Sequence, residues 1–328
     1  METLLLNQQE VSELLNMPDA IKAVEEAYKA YNLNKVQQPP IVSIDVAEHK
    51  GEIDIKACYS GISGMTSVKT AVGYWNNPEA YGLPTLLATI CLFDGKTGYP
   101  VCIMDGRLIT EYRTGAAGAV SAKVLARKDS KTVGVIGAGS QARMQLRALA
   151  EVLTIETVKV WSRSKEKLAG YKSDIEALLG INVVICDVPE ESVAEADIVV
   201  TATPGKKAII LKDWIEKGTH IIAVGADMEG KQEIDPEIFS GAKIVVDSID
   251  QCTLKGETQN PIKAGIISAK DIHAEIGEVL LGKKPGRVND DEITIFDTTG
   301  MGVQDNTTAK IIYDWAVEKG LGQYLRLI

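Results

Sequence analysis

Apolar positions recur every three to four residues over 7–31 and change to alternation from about residue 40. In the first stretch Asn7 and Glu10 form a capping box, and Val11, Leu14 and Leu15 make an apolar stripe. Pro18 suits the first turn of a second helix, with Ile21, Val24, Ala27, Tyr28 and Tyr31 on one face. The runs "IVSIDV", "EIDIKACYS" and "TSVKTAVGYW" then predict strands. "TLLATICLFDGKTGYPVCIMD" predicts two more, joined by a turn at Asp94-Gly95. Residues 107–127 return to helix, with Leu108, Ala116, Ala117, Val120, Val124 and Leu125 as its apolar positions.

A different rhythm begins at residue 131. The segments "TVGVI", "TVKVW", "NVVIC", "DIVVTAT", "THIIAVG" and "KIVVDS" are apolar throughout, with helices expected over 140–152, 163–179 and 206–217. Such alternation predicts a parallel sheet covered on both faces. The last stretch, "DNTTAKIIYDWAVEKG", is an amphipathic helix expected to fold back on the first domain. The fold class is therefore α/β: a Rossmann dinucleotide-binding domain over 121–305, and an α+β domain from 1–120 with 306–328.

Composition narrows the partners. Aromatics are 5% of the 328 residues, so the core is mainly aliphatic, and a net charge of −10 argues against nucleic acid. The five cysteines form no CxxC pair and are odd in number, which speaks against a disulfide framework or structural zinc. The start carries no signal-peptide pattern and no apolar run is long enough to span a membrane, so a cytoplasmic protein is expected.

The chemistry starts at "KTVGVIGAGSQARMQ". Gly137 allows the tight turn after a strand, Gly139 lets backbone approach a pyrophosphate, and Ala142 permits close helix packing. The amides of Ser140 and Gln141 at the helix start would face phosphate oxygens. Where an NAD site usually places an acid, the second strand ends in Ser162, Arg163 and Ser164. A guanidinium with two hydroxyls favours NADP over NAD, unless Arg163 is simply a solvated residue opening a helix. Thr201 and Thr203 in "DIVVTATPG" line the cofactor path, as do Val224 and Gly225 in "AVGADMEG". Asp227 follows in a glycine-flanked loop where a carboxylate can exchange a proton, or merely cap its own backbone.

The run "YRTGAAGAVSAKVLARKDSKTVGVIGAGSQA", with "GADMEGKQEID", "DIHAEIGEVLLGKKPGR" and "FDTTGMGVQD", resembles the ornithine cyclodeaminase and mu-crystallin family over nearly the whole chain. The resemblance implies a homodimer, with a substrate and dimerisation domain beside a central Rossmann domain. It also implies Asp227 as catalytic acid/base, Lys69 in "SVKTAVGYW" at the substrate carboxylate or carbonyl, and Arg113 in "EYRTGAAG" as carboxylate clamp. Without it, Lys69 is an ordinary strand lysine. One departure stands out: residues 39–56 hold no Arg where family members commonly carry one, leaving Lys50 and Lys56 as substitutes. Asp54 lies near the place where cyclodeaminases keep a Glu. No metal site is expected from His49, His220 and His273.

The expected activity is NAD(P)-dependent oxidoreduction of a C–N bond in a small imino or amino acid. The rivals are a cyclodeaminase that retains its NAD and a non-catalytic binding protein of the mu-crystallin kind.

Overall fold

The computed structural model describes residues 2–327, and the chain divides into two compact units, Met1–Arg113 with Met301–Ile328 and Thr114–Gly300. The first unit begins with β1 (Thr3–Leu6), α1 (Gln8–Leu14) and α2 (Met17–Asn32). Asn7 and Glu10 close the capping box on α1, while Asn16 accepts from the Asp19 amide and Pro18 lies in the first turn of α2. After the two-residue strand Val36–Gln37 come β2 (Val42–Val46), β3 (Gly51–Ser60), β4 (Met65–Tyr74), β5 (Leu86–Asp94) and β6 (Pro100–Asp105). Asp94 Oδ1 accepts from the Lys96 and Thr97 amides at 3.1 and 2.8 Å, which fixes the turn between β5 and β6.

The sheet runs in the order Gln323–Leu325, β1, β6, β5, β4, β3, with β2 and the two-residue strand Val36–Gln37 both pairing with β3. Neither terminal strand is visible in the apolar pattern, because three or four residues are too few to show alternation. Register sorts the side chains between two faces. Lys56, Lys69 and Ile90 are aligned on one, as are Cys58, Ser67 and Leu92. The helix Gly302–Lys319 packs here, and its Asn306 donates to the Met65 carbonyl and Ser67 Oγ, both at 3.1 Å. The opposite face carries Ile44, Ile53, Val72 and Leu87 aligned across four strands. Ile44 is 46% and Leu87 37% exposed, so this apolar row is open.

Helix α3 (Arg107–Leu125) crosses the division in the chain. The second unit then alternates β7 (Thr132–Ile136), α4 (Ser140–Leu149), β8 (Thr157–Trp161), α5 (Leu168–Leu179) and β9 (Asn182–Ile185). It continues through β10 (Ile198–Thr201), β11 (Lys206–Ile210), β12 (His220–Ala223), β13 (Gln232–Ile234), β14 (Lys243–Val246) and β15 (Thr294–Asp297). The main sheet is ordered β9, β8, β7, β10, β12, β15, β14, with Ala274–Glu275 at its edge, and its pairs are parallel. The chain reverses direction across the sheet between β7 and β10, which opens the crevice where such sheets hold ligands. Val199, Ile221, Phe239 and Ile295 belong to its mainly aliphatic hydrophobic core, Phe239 being an aromatic member.

One expected helix is corrected. Residues 206–217 form β11 and a 3₁₀ turn, Lys212–Trp214, instead. Adjacent Ile209 and Ile210 favour extended backbone, and β11 pairs in parallel with β13, burying Ile210 beside Ile234. Similarly, the helix expected from residue 163 starts regular α geometry only at Leu168.

Candidate active site

The glycine turn follows β7. Gly137 has φ +116°, and a Cβ on it would lie 2.7 Å from the Ala202 carbonyl oxygen, so no side chain is tolerated. Gly139 caps α4 without a side-chain hydrogen bond, and a Cβ there would meet nothing within 4 Å. Open space above a bare helix start is what a pyrophosphate needs. Ala142 is fully buried, as the close packing requires. Gln141 Oε1 is buried without a hydrogen-bond partner, a further polar atom available to a ligand. These features fit a bound dinucleotide. Ser140 begins the helix and is exposed.

A support invisible in the motif is Arg143. Its guanidinium donates to the Ala138 carbonyl at 2.8 Å and to Asp174 at 2.9 Å, and stacks 4.8 Å from the Tyr171 ring centroid. It therefore ties the turn to α5. At the end of β8, Ser162 Oγ accepts from the Ser164 amide at 3.3 Å, and Arg163 between them is exposed.

The carboxyl ends of β10 and β12 carry the next residues. Thr201 ends β10 and is fully buried; its carbonyl accepts from the Val224 amide at 3.0 Å. The Thr203 amide donates to Glu233 Oε1 at 2.7 Å. Gly225 packs so tightly that a Cβ would lie 1.9 Å from Glu233 Oε2. Asp227 does not bond its own backbone. Its Oδ1 is 2.5 Å from Lys231 Nζ, and its side chain is 48% exposed. The loop around it is held by Gln259, whose Nε2 donates to the Met228 carbonyl while its Oε1 accepts from the Gly230 amide, each at 3.2 Å.

In the first unit, Lys69 and Arg113 converge on one carboxylate. Lys69 Nζ lies 2.7 Å from Asp305 Oδ2 and Arg113 Nε 3.1 Å from Asp305 Oδ1. Thr110 Oγ1 accepts from Lys69 at 3.2 Å. All three charged groups are at most 6% exposed, and Lys56, opposite Lys69 in register, is 9% exposed. Burial pushes the Lys69 amine down to about 7, although Asp305 raises it. Burial pushes Asp305 up, but Lys69 and Arg113 outweigh it and hold the carboxyl below its usual range. Two cations, Lys69 and Arg113, share one anion, and the Lys56 charge also bears on it, a cationic setting that suits a carboxylate ligand.

Asp305 closes the segment "FDTTGMGVQD", but nothing in that segment tells which side chains it pairs with. Its partners lie 192 and 236 residues away in the chain, and only the fold brings them together. Of the two substitute lysines, Lys56 belongs to this cluster and Lys50 is exposed at a 3₁₀ terminus. Asp54 accepts from Ser43 Oγ at 2.6 Å. His220 is a core residue between Ser121 and Thr294, pushed down to about 3 by burial and by Arg287.

A glycine turn at the switch point of a parallel sheet, with a cationic cluster in a separate α+β unit, defines the class of two-unit α/β proteins built around a dinucleotide fold. The chain belongs to the ornithine cyclodeaminase/mu-crystallin family, whose model matches residues 1–320. It is 42% identical to the alanine dehydrogenase of Archaeoglobus fulgidus over 99% of each chain. An archaeal alanine dehydrogenase dimer with bound NAD superposes with a TM-score of 0.95 at 41% identity, covering 100% of both chains. The Thermococcus litoralis Delta(1)-pyrroline-2-carboxylate reductase, in complex with NADH and L-proline, does so with a TM-score of 0.95 at 37% identity, covering 98% of this chain and 100% of its own.

The cluster makes a direct prediction. Asp305→Asn leaves Lys69 and Arg113 buried without their counter-ion, and should lower unfolding stability in urea by about 3–5 kcal/mol. A loss below about 1 kcal/mol would mean that water, not Asp305, balances the two cations.

Proposed function

We propose that the chain is an NAD(P)-dependent oxidoreductase of the C–N bond, reducing the imine of a small 2-oxo acid or, in reverse, dehydrogenating the amino acid. The observation that carries this reading is the buried pair of cations, Lys69 and Arg113, sharing the single carboxylate of Asp305, on a chain that also has the dinucleotide turn. The relatives named above support it by their activities and by the NAD(H) in their structures.

Arg113 and Lys69 hold the substrate carboxylate, Arg113 by a directional fork and Lys69 by a point charge. Because Lys69 titrates near 7, its grip weakens as pH rises through that value. A dihydronicotinamide, when bound, would supply the hydride chemistry. Asp227 manages the proton on the nitrogen, and Lys231 holds its carboxylate in place. Gly137, Gly139, Ser140 and Gln141 receive the pyrophosphate, and Thr201, Thr203, Val224 and Gly225 border the nicotinamide end.

Asp227→Asn should lower kcat about 10²-fold or more while dinucleotide binding survives, since the amide keeps the size but takes up no proton. A panel of 2-oxo acids with ammonia, cyclic imines and ornithine, followed at 340 nm and for ammonia release, tests the reaction itself. Ammonia release from ornithine without net absorbance change would replace the reductase reading with a cyclodeaminase.

For the cofactor we infer a preference for NADPH, resting on Arg163 between Ser162 and Ser164 with no acid beside them. Arg163→Ala should weaken NADPH by about 1.5–3 kcal/mol and leave NADH nearly unchanged. Equal losses for the two in a binding titration would remove the 2′-phosphate role.

For assembly we infer a homodimer through the first-unit sheet, supported by its open row Ile44, Ile53, Val72 and Leu87. Light scattering should give twice the chain mass; a 35.4 kDa particle at micromolar concentration would defeat the inference.

A further inference from the structure

The second unit buries four carboxyl groups along the carboxyl edge of its sheet that the proposed chemistry does not use: Glu233, Glu257, Asp297 and Asp247. Each binds backbone N–H groups of a neighbouring segment. Asp297, at the end of β15, accepts from the amides of Glu257 and Thr258 at 3.1 and 2.8 Å and from Thr258 Oγ1 at 2.6 Å. Glu257 in turn accepts from the amides of Glu233 and Ile234 at 3.0 and 2.9 Å. Asp247 accepts from the amides of Thr299 and Gly300 and from Thr298 Oγ1. Glu233 differs from the others in what it reaches.

Its carboxyl touches two loops at once. Oε1 accepts from Thr203, which follows β10, and Oε2 packs on Gly225, which follows β12. A Cβ on Gly225 would also lie 2.4 Å from the Thr203 carbonyl oxygen, so the three segments meet with no room for a side chain. The loop 225–233 is thereby closed at its base: Gly225 opens it, Glu233 ends it, and the two are in contact. Asp227 and its ion-pair partner Lys231 both lie inside that closed loop, each two residues from one end.

We propose that Glu233 is a positioning residue that locks the loops after β10 and β12 to each other and so sets where Asp227 and the nicotinamide-end backbone lie. The inference rests on the oxidoreductase reading given above. A fully buried carboxyl is an expensive way to fill space, and an apolar residue of similar volume would serve stability as well. What an apolar residue cannot supply is an acceptor for the Thr203 amide with simultaneous contact to Gly225. Burial pushes Glu233 up to about 7 and Glu257 up to about 8, against the amides that favour their ionised forms. Behind Glu233, Glu257 accepts from the Glu233 amide and Asp297 from the Glu257 amide, so the three carboxyl groups are linked through backbone.

The experiment compares Glu233→Ala, Glu233→Asp and Glu233→Gln with the unaltered chain, using NADH and NADPH as probes. Dissociation constants come from nicotinamide fluorescence, and kcat and KM from the most active substrate of the panel. Glu233→Ala should weaken dinucleotide binding and lower kcat, each about tenfold or more, as expected of a misplacement near 1 Å. Glu233→Asp, which retracts the carboxylate by one methylene, should lose comparably and serves if the Ala variant fails to fold. Glu233→Gln keeps an acceptor at the same reach and should restore both quantities to within about threefold. Lower thermal stability in Glu233→Ala or Glu233→Asp with unchanged dissociation constant and kcat would overturn the proposal and leave a purely structural carboxyl. Failure of Glu233→Gln to restore either quantity would overturn it too. If the unaltered chain bound neither dinucleotide, the oxidoreductase reading would fall as well; normal binding with unresponsive variants would remove this inference alone.

Discussion

The meeting of Lys69 and Arg113 on Asp305 governs the first unit. Taking three charges out of water is costly, and the arrangement survives because each cation faces the shared carboxylate and Lys69 also donates to Thr110. Asp305 is placed by the helix Gly302–Lys319, which Asn306 fastens to β4 through Met65 and Ser67. Helix, strand and charge cluster therefore form one object. The face of β4 that receives the helix is the face that presents Lys69, and its opposite face is left apolar and open. A single period-2 alternation thus divides the charge cluster from the surface inferred to pair with a second copy.

The second unit applies the opposite sign to a different task. Its buried acids face backbone amides instead of side-chain cations, and they stitch successive loops along the carboxyl edge of the sheet. Loops at that edge are ordinarily the mobile part of a parallel α/β unit. Here a carboxyl group replaces the water that such amides would otherwise bind. The exposed loop that carries Asp227 is tied at its base in this way.

The chain's local features were legible in advance, and its long-range ones were not. Gly137, Gly139 and Ala142 declare the dinucleotide turn because turn, helix start and close packing each need a particular small residue within six positions. The parallel sheet follows from apolar runs that do not alternate. The segment after Gly205 misled because "KKAIILKDWI" is equally compatible with an amphipathic helix, and only pairing with Gln232–Ile234 decides for a strand. Asp305 in "FDTTGMGVQD", Glu233 in "GADMEGKQEID" and Arg143 in "GAGSQARMQ" stand in recognisable segments, but their roles are not legible there, since those roles lie in partners that are distant in the chain or on backbone atoms. Lys69 and Arg113 came from a family resemblance, and what the fold adds is the carboxylate that they share.

That shared carboxylate also gives physical content to the missing arginine of residues 39–56. Lys56 stands opposite Lys69 in the β3–β4 register, and its charge bears on both Lys69 and Asp305. The cluster therefore keeps a third cation, but as an ammonium instead of a guanidinium. An ammonium offers a compact charge without a planar fork, so it attracts a carboxylate strongly while constraining its plane less. In the proposed binding role, orientation would fall more heavily on Arg113 and on whatever bounds the rest of the substrate. Two neighbouring lysines also lower one another's pKa, and Lys56 does so for Lys69. Replacing an arginine by Lys56 would thus exchange directional grip for sensitivity to pH near neutrality, a trade that concerns the substrate carboxylate and leaves the dinucleotide unit untouched.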